Sequence, residues 1–126
     1  MSPAGGSPRF WVRWTGLIRD GQNGFDSTSP VLRAFLRALS VEFAGNADLE
    51  QSGLASPGDG TIQLSTVVEA ADAGKAINKA RKAFEKCIMS AGGSARLPHG
   101  EHDSWQAKEL IRLLEAQVKQ LDSIAA

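Results

Sequence analysis

The sequence predicts an α+β fold: a ferredoxin-like β-α-β-β-α sandwich, its fourth strand short or missing, with an added C-terminal amphipathic helix. Three observations lead there. A period-two run of aromatic and branched residues comes first, two period-3.6 stretches carry helix start and stop signals, and a hairpin pattern lies between them.

"RFWVRWTGLIR" puts Phe10, Val12, Trp14 and Ile18 on one side of a strand, and Trp11, Arg13, Thr15 and Leu17 on the other. Only the first side is uniformly apolar. Turn dipeptides Asp20-Gly21 and Asn23-Gly24 follow, then Ser29 as an N-cap and Pro30 at the first helical position, where proline's missing N–H has no partner to lose. Leu32, Phe35, Leu36, Leu39 and Phe43 recur at helical spacing, and Gly45-Asn46 ends that helix. Residues 48 to 55 read as a weakly apolar edge strand, "SPGDG" as a loop, and Thr61 to Glu69 as a stronger strand with Ile62, Leu64 and Val68 inward.

Asp72 caps a second helix whose Ala73, Ala76, Ile77, Ala80, Phe84, Cys87, Ile88 and Ala91 share one face, closed by Gly92-Gly93. Both helices are expected on one side of the sheet, packing Phe35, Leu39, Ile77, Phe84 and Ile88 against the inward strand residues. A short edge near residues 94 to 97 could complete the sheet. Beyond it, Trp105, Leu110, Ile111, Leu114, Val118, Leu121 and Ile124 predict a helix over 104–126. The chain thus divides into a flexible tail (1–8), a sandwich domain (9–93), a connector (94–103) and the final helix (104–126). At 126 residues only one core is affordable.

Fourteen basic and fourteen acidic residues cancel, so no global field steers the protein toward nucleic acid or an anionic membrane. The lone Cys87 forms no internal disulfide and suits a reducing compartment. The start has no basic and apolar leader pattern, and no run reaches membrane-spanning length, so a cytoplasmic location is expected.

The sheet face opposite the helices carries Trp11, Leu17 and Val67. A stacking platform for bases needs two or three aromatics on neighbouring strands with flanking basic residues, and Thr61 to Glu69 has neither. Cover by the final helix or by a second subunit fits better. In that helix Ala107, Leu110, Leu114, Leu121 and Ile124 fit heptad a and d positions, and Ile111 and Val118 widen the stripe to the breadth of a helix packed on a sheet. Trp11, Leu17 and Val67 with Leu110, Ile111, Leu114, Val118 and Leu121 are the expected interface, with the protein itself or another protein as partner.

Lys75, Lys79, Lys82 and Lys86 form a ridge on the second helix, opposite its apolar face. Such a row can displace counterions from a phosphate backbone, which gives the alternative of a nucleic-acid-associated protein; a solvated helix face accounts for the same pattern. The acidic Asp48, Glu50, Asp59 and Glu69 gather in the hairpin. That separation of charge suits complementary self-association equally well.

No enzyme is expected, and no cofactor: Cys87 sits in an apolar stripe, and the loop before Ser29 lacks a phosphate-binding glycine pattern. His99, Glu101, His102 and Asp103 crowd one short window. Asp103 with Gln106 reads there as a capping box rather than as part of a metal site.

Overall fold

The structure, a computed structural model, describes residues 8–19, 29–47, 49–92, 94–96 and 109–121. In chain order the elements are β1 (Arg9–Ile18), α1 (Pro30–Gly45), β2 (Glu50–Ala55), β3 (Thr61–Glu69), α2 (Ala73–Ser90), β4 (Ser94–Arg96) and β5 (Glu109–Gln120). The five strands make one sheet in the order β2-β3-β1-β5-β4. All neighbours are antiparallel except β4, which runs parallel to β5. It follows that β1 and β2 point the same way with β3 between them, and β3 and β5 the same way with β1 between them. Each strand–helix–strand unit is split by a strand of the other.

Local chemistry explains the element boundaries. Ser29 Oγ accepts from the Leu32 backbone N–H at 3.4 Å, and the Asp72 carboxylate accepts from Lys75 N–H at 2.8 Å, so each helix starts on an oxygen that satisfies an orphan donor. Gly92, at φ 98, turns the chain out of α2 in the left-handed region that glycine enters without penalty. At the β2–β3 turn, Asp59 accepts from Thr61 N–H at 3.0 Å and from its hydroxyl. Edge strand β2 is interrupted: Gln51 takes φ 50, and the register with β3 shifts between Glu50 and Gly53.

One core forms where both helices cover the same sheet face. Phe10, Val12, Trp14, Ile18, Ile62, Leu64 and Val68 cluster with Leu32, Phe35, Leu39 and Phe43 of α1 and with Ala76, Ala80, Phe84 and Ile88 of α2. The Phe43 and Phe84 rings stack with centroids 5.5 Å apart, tying the helices together. Trp14 buries its ring and keeps its polar end satisfied, Nε1 donating to the Ile77 carbonyl at 3.2 Å. No helix among the described residues is long and apolar enough to cross a membrane.

The final segment departs from expectation. Glu109–Gln120 is a strand, not part of a helix over 104–126, and the fourth long strand is therefore present rather than missing. β4 also forms, as the short edge expected near residues 94 to 97. The physical reason lies in a bulge: Thr15 pairs with Glu115 and Gly16 with Leu113, leaving Leu114 as the extra residue. Ile111, Leu113, Ala116 and Val118 all turn to the helix-covered face and pack there. Their spacings of two, three and two imitate helical recurrence. Good helix formers such as Glu, Leu, Arg, Ala, Gln and Lys fill the segment, and pairing along the open side of β1 overrides that preference.

Candidate functional site

With both helices on one face, alternation sends Arg9, Trp11, Arg13, Thr15 and Leu17 of β1 to the other. Register fixes their neighbours. Trp11 lies between Val67 of β3 and Lys119 of β5, and Val67 in turn faces Glu50 of β2. The next row is Gly53, Ser65, Arg13 and Gln117; the one after is Ala55, Gln63, Thr15 and Glu115. On the far side of the Trp11 row, Glu69 faces Arg9.

The centre of this face is braced. The Arg13 guanidinium lies 5.5 Å from the Trp11 ring centroid and donates to Gln117 Oε1 at 2.5 Å, spanning two strands. Its Nε is buried without a hydrogen-bond partner among the described residues. Arg9 pairs with Glu50 across β3. Flanked by Glu50 and Trp11, Val67 is only 3% exposed although it points away from the core. Trp11 and Leu17 remain half-buried.

The expected interface is thereby divided. Trp11, Leu17 and Val67 do share the helix-free face. Leu110 and Ile111 are buried in the core cluster and Val118 packs against it, so these three serve the chain's own interior. Leu114 is exposed at the bulge, and Leu121 is half-buried just past β5, its N–H bonded to the Arg9 carbonyl. A helical stripe would have put Leu110 to Leu121 on one surface; a bulged strand sends them different ways. Conversely, Gln117 and Lys119 join the open face unannounced, because only strand pairing brings them beside Arg13 and Trp11. Arg13 itself was visible in the alternation of β1.

On α2, Lys75, Lys79, Lys82 and Lys86 are all exposed, and none is in an ion pair among the described residues. Lys79 Nζ donates to the Glu69 carbonyl at 2.9 Å. Arg33 and Arg37 are exposed on α1, while Arg81 pairs with Glu85 one turn on at 3.1 Å. The acidic Glu50 and Glu69 stand on β2 and β3, the Glu69 main chain within reach of Lys79. Asp48 lies outside the described residues.

Cys87 is buried at 2% and accepts a hydrogen bond from Asn46 Nδ2 at 3.2 Å. It borders a groove of about 420 Å³ between the ends of α1 and α2, where Val41, Gly45 and Lys86 also line the walls. The window of His99, Glu101, His102 and Asp103, with the capping box that closes it, lies outside the described residues. Among the described residues no three His, Cys, Asp or Glu side chains converge as metal ligands. The Asp59 carboxyl is held below its ordinary 3.8, chiefly by the hydrogen bond from the Thr61 side chain, then by Thr61 N–H. That is turn chemistry on an exposed loop.

No family model, no curated protein and no solved structure matches the chain.

Proposed function

We propose that this protein is a non-enzymatic protein-interaction module working through the helix-free face of its sheet. The observation that carries this reading is the half-buried Trp11 at the middle of that face, held by Arg13 and bordered by Val67 and Lys119. A large rigid ring with an arginine beside it is the composition of binding hot spots: the ring offers much contact area for little lost rotamer freedom, and the guanidinium is already held by the ring and Gln117. The split strand–helix–strand pairing supports the finer description of the fold as a ferredoxin-like sandwich, an architecture that by itself implies no activity. The buried, hydrogen-bonded Cys87 supports a reducing, cytoplasmic setting and argues against a thiol nucleophile.

Site-specific photocrosslinking tests this reading. A benzophenone side chain placed at Thr15 or Ser65, on the sheet face, should give protein adducts in the cell, while one at Val41 on α1 should not. Equal labelling from both sides, or none from the sheet, overturns it.

One observation favours a second reading. Four exposed lysines, without ion pairs among the described residues, line α2, a geometry that could neutralise several phosphates. Binding to a mixed DNA and RNA pool should then weaken steeply with salt and be lost in Lys79→Glu with Lys82→Glu. Binding that ignores both changes removes the ridge from consideration.

A further inference from the structure

We infer that the occupant of the open sheet face is a second copy of this chain, docked about a two-fold axis that runs parallel to the strands between β1 and β3. The inference rests on the interaction reading above and adds the partner and its orientation. Two sheets packed face to face about such an axis keep their strands aligned and exchange left for right. Every row then meets its own reverse.

The Trp11 row reads Glu50, Val67, Trp11, Lys119 across β2, β3, β1 and β5. Reversed upon itself, it sets Glu50 over Lys119 of the second copy, and Val67 over Trp11, on both sides of the dyad. The neighbouring row sets Glu69 over Arg9. In the row beyond, Arg13 meets the Ser65 hydroxyl, giving a donor-rich guanidinium an acceptor; after that, Thr15 meets Gln63 and Glu115 meets Ala55. No like charges meet anywhere in this scheme.

A two-fold axis across the strands does worse. It keeps β2 over β2 and β5 over β5, and the register that pairs Lys119 with Glu115 then sets Arg13 against Arg13. Repulsion of that kind, as much as attraction, selects one geometry over another.

Reach and area are adequate. With strands about 4.8 Å apart, Glu50 and Lys119 each lie about 7 Å from the axis. A relative sheet rotation of about 30° displaces them by roughly 4 Å, well within the span of glutamate and lysine side chains. Four strands about 30 Å long cover about 600 Å² per copy, and two copies bury about 1,200 Å², the lower end of specific interfaces. The pair should be reversible, with an affinity sensitive to its edge charges.

Charge reversal in the full chain, followed by sedimentation velocity, tests this directly. The wild type should dimerise at high micromolar concentration. Glu50→Lys alone and Lys119→Glu alone should each raise the dimer dissociation constant roughly tenfold or more, because each creates two like-charge contacts per dimer. Mixing the two single variants should restore a heterodimer, and the double variant should recover most of the single variants' loss, since both arrangements again oppose unlike charges across the dyad while the Arg9–Glu50 pair within the chain stays broken. Far-UV circular dichroism and Tm check that each variant folds, and the mixing result cannot be produced by a folding defect.

A wild type that stays monomeric at high micromolar concentration overturns the inference, as do single variants that dimerise normally or fail to recover on mixing. Should those failures occur while Thr15 and Ser65 still crosslink to some other protein, the interaction reading stands and only the second copy is eliminated.

Discussion

Gly16→Ala separates a C-terminal strand from a C-terminal helix with a single methyl group. A Cβ at position 16 would lie 2.5 Å from the Arg112 carbonyl oxygen, 3.2 Å from the Arg112 carbonyl carbon and 3.3 Å from Leu113 Cα. Ordinary contact begins at 3.4 Å, so the shortest approach is 0.9 Å too close, against main chain that cannot rotate away. β5 must withdraw at its bulge, and a ladder hydrogen bond of ordinary length stretched by that much no longer qualifies as one. Two such bonds at about 1 kcal/mol each, with overpacking strain of about 1–2 kcal/mol, give a loss of about 3–4 kcal/mol.

Gly16 has no positive φ to protect, so alanine carries no backbone penalty there. If the C-terminal segment were a helix docked elsewhere, the same substitution would stabilise by about 0.4–1 kcal/mol through the unfolded chain. The two readings differ in sign. Thermal unfolding by circular dichroism, with urea unfolding as a check, should show Tm falling by roughly 8–15 °C. An unchanged or raised Tm refutes the β1–β5 pairing.

Phe84→Ala removes a fully buried ring stacked on Phe43 and should cost about 3–5 kcal/mol in urea unfolding, with Phe84→Leu costing much less; equal losses would deny the site its close packing. Asp59 has a folded pKa below its unfolded value, so its contribution to stability is present above pH 3.8 and is lost as the pH falls through the lower folded value. A carboxyl NMR titration should put the Asp59 midpoint below 3.8, and Thr61→Val should move it back up; a midpoint indifferent to that change would show that the Thr61 hydroxyl is not its cause.

How far the sequence could be read depended on whether local pattern and tertiary pairing agreed. β1, β3 and α2 were legible because alternation, capping by Asp72 and a single apolar stripe all pointed one way. β2 showed as an edge through its exposed residues. β5 was not legible, because Leu114 at the bulge breaks a period-two pattern into one that counts like a helix, in a segment of strong helix formers. The same bulge hides half of the candidate site. Trp11, Leu17 and Val67 followed from strands correctly read, whereas Gln117 and Lys119 acquire meaning only beside Arg13 and Trp11, and Leu110 and Ile111 turn out to belong to the core.

The two borders of the sheet have a consequence for what the protein avoids becoming. A long flat border invites another chain to add its own strand, and that addition exposes a fresh border, so growth has no natural end. Here one border is the broken strand containing Gln51 at φ 50, and the other is a strand of three residues. β4 covers only the start of β5, pairing at Glu109, Ile111 and Arg112, so it is the kink in β2 that shortens the template its own border offers. A contact through the broad face about a dyad, by contrast, consumes the surface that made it. Assembly through that face, as proposed, would terminate at two, and the kink in β2 acts against strand addition at its border.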